Sequence, residues 1–325
     1  MTGYIIRRIL WTIPVLWAIA TITFFLMHAV PGGPFDRDKE LPPAALANLE
    51  KRYNLDEPLL VQYGLYLENL VQGDLGLSFK NGREVRDSIT EGLAVTAQLG
   101  VFAFLYATIV GMTLGVIAAL YHNRLPDYLC VFFATIGTAM PNFIIATFLV
   151  IIFSVQLGWF GVLGWGGPRF DIFDPLTWKN NFDPFAWDFH KVVLPVVALG
   201  TLSAAYIARV TRASVLEVLN QDYIRTARAK GLTEYVVVLR HTIKNAMVPI
   251  LTVLGPIFAF LVTGSFIVER VFAINGVGYR FVTAVFQRDY GMIMGTTLFF
   301  AAVVAIANLV VDILYAAVDP RIRYR

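Results

Sequence analysis

The feature that most constrains the fold of this 325-residue chain is a series of apolar runs, several of them long enough to cross a membrane. A helix needs about 20 apolar residues to span the roughly 30 Å of hydrocarbon, where no water satisfies an open backbone. Hydrophobic residues make up 57% of the chain and charged residues 15%, whereas soluble domains have about 45–50% and about 25%. The sequence therefore predicts an all-α, polytopic membrane protein with little room for a separate soluble enzyme.

Six runs are candidate transmembrane helices, and proline marks two of them. The third is long enough to bend, and Pro141 halfway along it predicts a kink. The fourth is the weakest candidate, because it is short. It also carries Pro195, but near its start, where a missing amide proton costs little. The six predicted spans are 9–29, 95–120, 128–157, 192–208, 246–268 and 291–317.

The first run has two interpretations. It follows Arg7 and Arg8, and Ala18-Ile19-Ala20 has the small-x-small pattern of a signal-peptide cleavage site. The apolar residues continue to Ala29, however, beyond the usual length of about 7–15 residues for a signal core. We therefore expect a retained first helix.

The distribution of lysine and arginine predicts the orientation. With six spans both termini lie on one side, together with the segments 121–127 and 209–245. Lysine and arginine are about twofold denser on this side than in the segments on the opposite side, which are 30–94, 158–191 and 269–290. We therefore expect both termini to be cytoplasmic, in a bacterial or archaeal plasma membrane.

Ionisable and metal-binding groups are scarce in the predicted spans. Asp312 is the only charged residue within their boundaries, whereas ion-coupled carriers usually keep such groups near mid-membrane. A stand-alone ion-coupled carrier is therefore the less favoured class. The sequence has one cysteine, no His-x-x-x-His pair and no Gly-Lys-Ser/Thr motif. We expect no catalytic residue, metal or cofactor in this chain, so energy for uphill transport must come from another subunit.

The segment 209–245 is the most informative hydrophilic stretch. Asp222 is a favourable helix N-cap, no helix breaker occurs through Lys230, and Gly231 is a typical C-terminal stop. A second helix is predicted from Thr233 towards the fifth span. The pattern indicates a short, stiff helix that is suited either to being gripped by a partner or to lying on anionic lipid headgroups.

Separated motifs resemble the permease subunits of binding-protein-dependent ABC importers of the oligopeptide/dipeptide/nickel group, in particular the first permease subunit of oligopeptide importers. The segment from Asp222 to Gly231 is similar to the loop that contacts the ATPase. It departs from the general family pattern at Arg225-Thr226-Ala227, where Glu-Ala-Ala is usual, and in its later proline, Pro249; both departures resemble the peptide-importer variant. The other motifs span nearly the whole chain: Arg7-Arg8, Pro31-Gly32-Gly33-Pro34, Gly73-Asp74-Leu75-Gly76 and Asp319-Pro320-Arg321-Ile322.

The resemblance implies a type I ABC importer permease fold that forms half of a transmembrane passage for oligopeptides. The implied partners are a second homologous permease, two cytoplasmic ATPases that bind ATP and Mg, an extracytoplasmic peptide-binding protein and membrane lipid, but no nucleic acid. A nickel or other small-solute importer of the same group stays open, because no substrate-binding residue can be named. The implied ATPase contact consists of Asp222, Tyr223, Ile224, Arg225, Thr226, Ala227, Arg228, Ala229, Lys230 and Gly231.

We expect three parts in the chain: a first helix with a helical extracytoplasmic segment (1–94), a transmembrane core that contains the coupling helix 222–231 (95–318), and a cytoplasmic tail (319–325). In the first part, Pro58 at a first helical position and apolar residues at three- and four-residue spacing predict an amphipathic helix that ends near Gly73. We expect it to cover the outer ends of the spans, as a packed cap or as a docking platform for the binding protein.

Overall fold

The computed structural model describes residues 2–35, 43–167 and 188–318. This part of the chain is helical, and its only extended pairing is an isolated bridge between Leu77 and Glu84. The helices are α1 (Thr2–Ala29), α2 (Pro43–Arg52), α3 (Leu59–Val71), α4 (Val85–Leu120), α5 (Leu125–Ala139), α6 (Asn142–Leu149, continued by the π-helical Val150–Gln156), α7 (Phe189–Leu219), α8 (Asp222–Ala229), α9 (Glu234–Val236, the π-helical Val237–Ile243 and Lys244–Val262), α10 (Phe266–Val271), α11 (Val277–Gln287) and α12 (Tyr290–Val318).

Five segments of the described chain are long and apolar enough to cross a membrane: α1, α4, α7, α9 together with α10, and α12. The remaining predicted span, 128–157, is the pair α5 and α6, whose axes meet at 109°. The break falls at Met140 and Pro141, which both have extended backbone angles. Proline disfavours the helical conformation of the residue before it, and Met140 is extended, so α5 ends there and Pro141 is the N-cap of the next helix. The predicted kink at Pro141 is confirmed, as a break between two helices.

The fourth span is much longer than the sequence predicts. α7 continues to Leu219, so the interpretation of 209–219 as loop was wrong. Charges mark where contact with lipid ends, whereas a helix continues as long as packing sustains it. Beyond residue 208, Thr211, Ser214 and Val215 are buried, and Val215 packs in a cluster with residues of α4 and α9.

Helices α4 and α7 form the centre of the bundle and approach each other closely. The glycines Gly111 and Gly115 of α4 make this approach possible. A Cβ atom at Gly111 would lie 2.6 Å from the carbonyl oxygen of Ala204, and one at Gly115 would lie 2.5 Å from Cβ of Thr211. Small residues four positions apart let two membrane helices pack backbone against backbone.

Buried carboxylates flank helix α11 at both ends. Before its first turn, Glu269 of α10 is fully buried and accepts a hydrogen bond from the backbone amide of Tyr279 at 2.9 Å. After its last turn, the buried Asp289 accepts hydrogen bonds from the Ser78 hydroxyl and, at 2.9 Å, from the amide of Phe79. The segment between α3 and α4 is therefore tied to the start of α12.

The position of Glu269 corrects one expectation. The sequence predicts an outer loop from residue 269 onward, whereas Glu269 lies in α10, within the candidate membrane span Glu234–Val271. The helix ends three residues beyond the predicted boundary at 268, because hydrogen bonds make acceptable a buried carboxylate that hydropathy disfavours. The side chain of Asp312 lies outside the described residues.

Helix α3 lies against the end of α1. Pro58 is its N-cap rather than its first helical residue. The hydroxyls of Tyr63 and Thr21 are 2.7 Å apart, and the rings of Tyr66 and Phe24 stack at 5.5 Å. Burial raises the pKa of Tyr66 to about 12, with a smaller contribution from Tyr63. The predicted amphipathic helix is confirmed, while its use as a docking platform stays a prediction.

Candidate coupling site

The predicted short helix is present as α8, between the membrane helices α7 and α9. Only Asn220 and Gln221 separate it from α7. Gln221 has extended backbone angles and is the N-cap, so the expectation that Asp222 occupies that position was wrong by one residue. Asp222 is instead the first helical residue, where its negative charge is favourable, and its carboxylate lies 3.3 Å from the guanidinium of Arg225.

Two residues fasten α8 to the rest of the chain. Ile224 is fully buried and Ala227 nearly so. They lie three positions apart, hence on the same face of the helix, and pack against Val218 at the end of α7 and Val237 at the start of α9. Because this contact bridges both neighbours, α8 is seated in the angle between two membrane helices.

The end of α8 is closed by hydrogen bonds that require glycine. The amide of Leu232 donates to the carbonyl of Ala227 at 3.4 Å, and the amide of Gly231 donates to the carbonyl of Arg228 at 2.9 Å. This is the pattern of a Schellman motif, which needs a left-handed residue after the helix. Gly231 has a φ of +76°, so the predicted stop at this residue is confirmed.

An ion pair links α8 to the next helix. The guanidinium of Arg228 donates two hydrogen bonds to the carboxylate of Glu234, at 3.1 and 2.6 Å. These hydrogen bonds raise the pKa of the Arg228 guanidinium. The two residues are largely exposed, so the pair adds little stability. Its bidentate geometry fixes the direction in which α9 leaves the loop.

The predicted site residues therefore fall into two groups. Ile224 and Ala227 face inward and hold the helix in place. The other eight are exposed and form one contiguous surface: Asp222, Tyr223, Arg225, Thr226, Arg228, Ala229, Lys230 and Gly231. Such a surface has no hydrophobic groove and no buried ionisable group. It is suited to contact with a partner.

A second polar cluster, which the sequence did not predict, lies close to this loop. Arg212, ten residues before Asp222, reaches across to the buried Asp127 at the start of α5. His122 and the backbone amide of Asn123 also contact Asp127. The signal in the sequence is weak, since an aspartate in a first helical turn and an arginine beyond a span are both ordinary in exposed positions.

Comparison with known proteins extends the resemblance to both ends of the chain. The family described as "Binding-protein-dependent transport system inner membrane component" matches residues 111–324. A second family, which describes the N-terminal part of such membrane components, matches residues 1–100. The chain belongs to the binding-protein-dependent transport system inner membrane components. It is thus the membrane component of an ABC importer, as the sequence motifs predicted.

Characterised relatives match over their full length. The chain is 40% identical over 325 residues, covering 100% of both chains, to the oligopeptide transport system permease protein OppB of Haemophilus influenzae. It is 40% identical, with the same coverage, to OppB of Salmonella typhimurium. The dipeptide transport system permease protein DppB of Bacillus subtilis is 41% identical over 324 residues, which cover 99% of this chain and 98% of the relative.

Solved structures support the predicted fold class. A chain of the inward-facing MetNI methionine ABC transporter superposes with a TM-score of 0.54 at 17% identity, over 71% of this chain and 96% of that one. A chain of an amino acid ABC transporter crystallised with histidines gives a TM-score of 0.52 at 16% identity, over 71% and 94%. At this identity the likeness shows the fold alone, and that fold is the type I importer permease fold.

Proposed function

We propose that this chain forms half of the transmembrane passage of an ATP-driven importer of oligopeptides, and that α8 is its contact with an ATPase. The observation that supports this proposal most directly is the way α8 packs between α7 and α9. Its two buried residues hold it between α7 and α9, while eight exposed residues are left for a partner. A helix fastened in this way moves its neighbours when it is pushed, whereas a flexible loop would absorb the displacement.

The 40% and 41% identity with an oligopeptide and a dipeptide permease, over nearly the whole chain, supports peptides as the cargo. The assembly would contain a second homologous permease, two cytoplasmic ATPases that bind ATP and Mg, and an extracytoplasmic binding protein. ATP binding would bring the ATPases together and turn the spans outward, and hydrolysis would reset them. The chain itself would be non-catalytic.

This assignment fixes an orientation. If α8 contacts the ATPases, the segment between α7 and α9 is cytoplasmic, and so is the start of α5. With six spans, counting α5 and α6 as one, both termini would lie on the same side as α8. The density of lysine and arginine supports the same orientation.

Cysteine crosslinking in the assembled transporter tests the proposal. The buried Cys130 is replaced by alanine, and a single cysteine is placed at the exposed Thr226. We expect a bifunctional thiol reagent to link it to the ATPase subunit. A cysteine at the exposed Asn81, in the extracytoplasmic segment, is the matched control and should give no such product.

The opposite result is equally clear. If the ATPase co-purifies with the permease but Thr226→Cys gives no crosslink, and a lipid-borne photoreactive probe labels that position instead, α8 lies on the membrane surface and the proposal is wrong.

A further inference from the structure

A buried carboxylate joins three helices near the coupling loop. Asp127, in the first turn of α5, is 1% exposed. Arg212 of α7 donates from Nε to Oδ1 at 2.7 Å and from Nη2 to Oδ2 at 2.8 Å. The turn that follows α4 contributes the backbone amide of Asn123, at 3.0 Å from Oδ2, and Nδ1 of His122, at 3.2 Å.

The geometry of this cluster is directional. An arginine that holds a carboxylate with two parallel hydrogen bonds fixes orientation as well as distance. The start of α5 therefore cannot slide along α7, or rotate against it, without breaking both bonds. Further along the same pair of helices, Ala134 of α5 packs against Ala205 and Ala208 of α7, so the contact continues as an apolar seam.

The same region of α7 carries the attachment of α8. α7 is one unbroken helix from Arg212 to Leu219. Val218, less than two turns beyond Arg212, packs on Ile224 of α8. A displacement of α8 thus reaches Arg212 through about two turns of rigid helix, and Arg212 is bonded directly to α5.

The other end of α5 is built to pivot. Met140 and Pro141 interrupt the span, and α6 leaves at 109° to α5. A break at proline is a natural hinge, because no backbone hydrogen bond from the proline crosses it. α5 is therefore bonded to α7 at one end, and at its other end the break at Met140 and Pro141 separates it from α6.

We propose that Asp127 and Arg212 form a clamp that makes α5 follow α7 when the coupling helix α8 is displaced. This inference rests on the proposed function of α8 and extends it to a specific route into the broken span. Both are positioning residues, whose role in this proposal is to transmit motion from α7 to α5. The gate that moves would be α5, pivoting at Pro141.

The test variant removes both charges together, as Asp127→Asn with Arg212→Gln, so that no unpaired charge stays buried. The matched control is Lys191→Gln, which removes a partly exposed ion pair with Asp188 at the opposite end of the same helix. Both are assembled with their ATPases and reconstituted with a peptide-loaded binding protein. The quantities measured are ATP hydrolysis and the number of peptides imported per ATP hydrolysed.

We expect the double variant to assemble and to hydrolyse ATP near the wild-type rate, while peptides imported per ATP fall about tenfold, as loss of a typical coupling free energy predicts. Lys191→Gln should keep the wild-type ratio. A wild-type ratio in the double variant would overturn the clamp. So would a proportional loss of import and hydrolysis, because a merely structural role lowers the amount of active complex without changing the ratio.

A distance measurement supplies a readout other than activity. Spin labels are placed in a Cys130→Ala background at the exposed residues Leu125 of α5 and Glu217 of α7. In the clamped protein their separation should not change when ATP binds, because the two helices move together. In the double variant it should become nucleotide-dependent, and a constant separation there would contradict the clamp. If the wild-type assembly shows no ATP-dependent import, the proposed function fails, and the clamp fails with it.

Discussion

The hydroxyl of Thr96 donates a hydrogen bond to the carboxylate of Glu269 over 3.0 Å, although the two residues lie 173 positions apart. The same hydroxyl oxygen accepts a hydrogen bond from the backbone amide of Val277, also at 3.0 Å. Thr96 belongs to α4, Glu269 to α10 and Val277 to the start of α11. Thr96 and Glu269 thus accept hydrogen bonds from the first backbone amides of α11, which have no partner within their own helix.

Removal of this carboxylate should destabilise the fold. Glu269→Leu leaves the amide of Tyr279 and the hydroxyl of Thr96 without an acceptor in a buried site, which costs about 1–3 kcal/mol for each unsatisfied group. We expect a clear decrease in the thermal unfolding midpoint of the protein in detergent. Thr96→Ser keeps the hydroxyl and should stay close to wild type, whereas Thr96→Val should resemble Glu269→Leu. Equal midpoints for all variants would contradict this role.

At Gly231 a side chain would introduce backbone strain without steric overlap. A Cβ at this position would meet no atom within 4 Å, but the φ of +76° is unfavourable for residues with a side chain. Gly231→Val should cost about 1–2 kcal/mol in backbone strain and loosen the end of α8. We expect normal membrane insertion, with reduced transport and reduced substrate-stimulated ATP hydrolysis in the assembled complex.

Gly231→Asn is the matched control, because asparagine tolerates the left-handed region. It should restore much of the activity that valine removes. Normal transport by Gly231→Val would show that the end of α8 plays no part in coupling.

The packing of α8 against its neighbours predicts that the buried residue Ile224 holds this helix in place. Ile224→Ala removes the buried contact with Val218 and Val237, and truncation of a buried isoleucine costs about 2–5 kcal/mol. Because α8 is short, we expect the loss to appear as local opening, measured as faster amide hydrogen exchange over 222–231. Tyr223→Ala, on the exposed side, should leave exchange unchanged. Unaltered exchange in Ile224→Ala would mean that α8 is held by its ends alone.

Close packing between α4 and α7 predicts a position where even one methyl group is not tolerated. Gly111→Ala would place Cβ 2.6 Å from the carbonyl oxygen of Ala204, so the two helices must separate. We expect a large fall in the yield of folded protein, measured by size-exclusion chromatography in detergent. Gly64→Ala in α3 is the control, because nothing lies within 4 Å of that Cβ. There alanine should be neutral or stabilise slightly, since it favours the helix. Equal yields of the two variants would show that the α4–α7 contact adjusts to an added methyl group.

The sequence determined those features whose causes are local. Five of the six spans appear as segments that are long and apolar enough to cross a membrane, because length and hydropathy are local properties of the sequence. Pro141 marks the break in the remaining span, because proline disfavours the helical conformation of the residue before it. Gly231 ends α8, because a residue without Cβ adopts the left-handed conformation at little cost. Family motifs added the type I fold, since they preserve a pattern of contacts that no single segment reveals.

Tertiary structure decided what depends on distant partners. Nothing near Glu269 in the sequence indicates that Thr96 and the start of α11 will make its burial acceptable. Likewise, 85 residues separate Asp127 from the arginine that holds it. The end of α7 at Leu219 was also set by packing rather than by hydropathy. The physical reason is common to all three: the free energy of a charged or polar residue depends on the groups that surround it after folding, and a linear pattern contains only its neighbours along the chain.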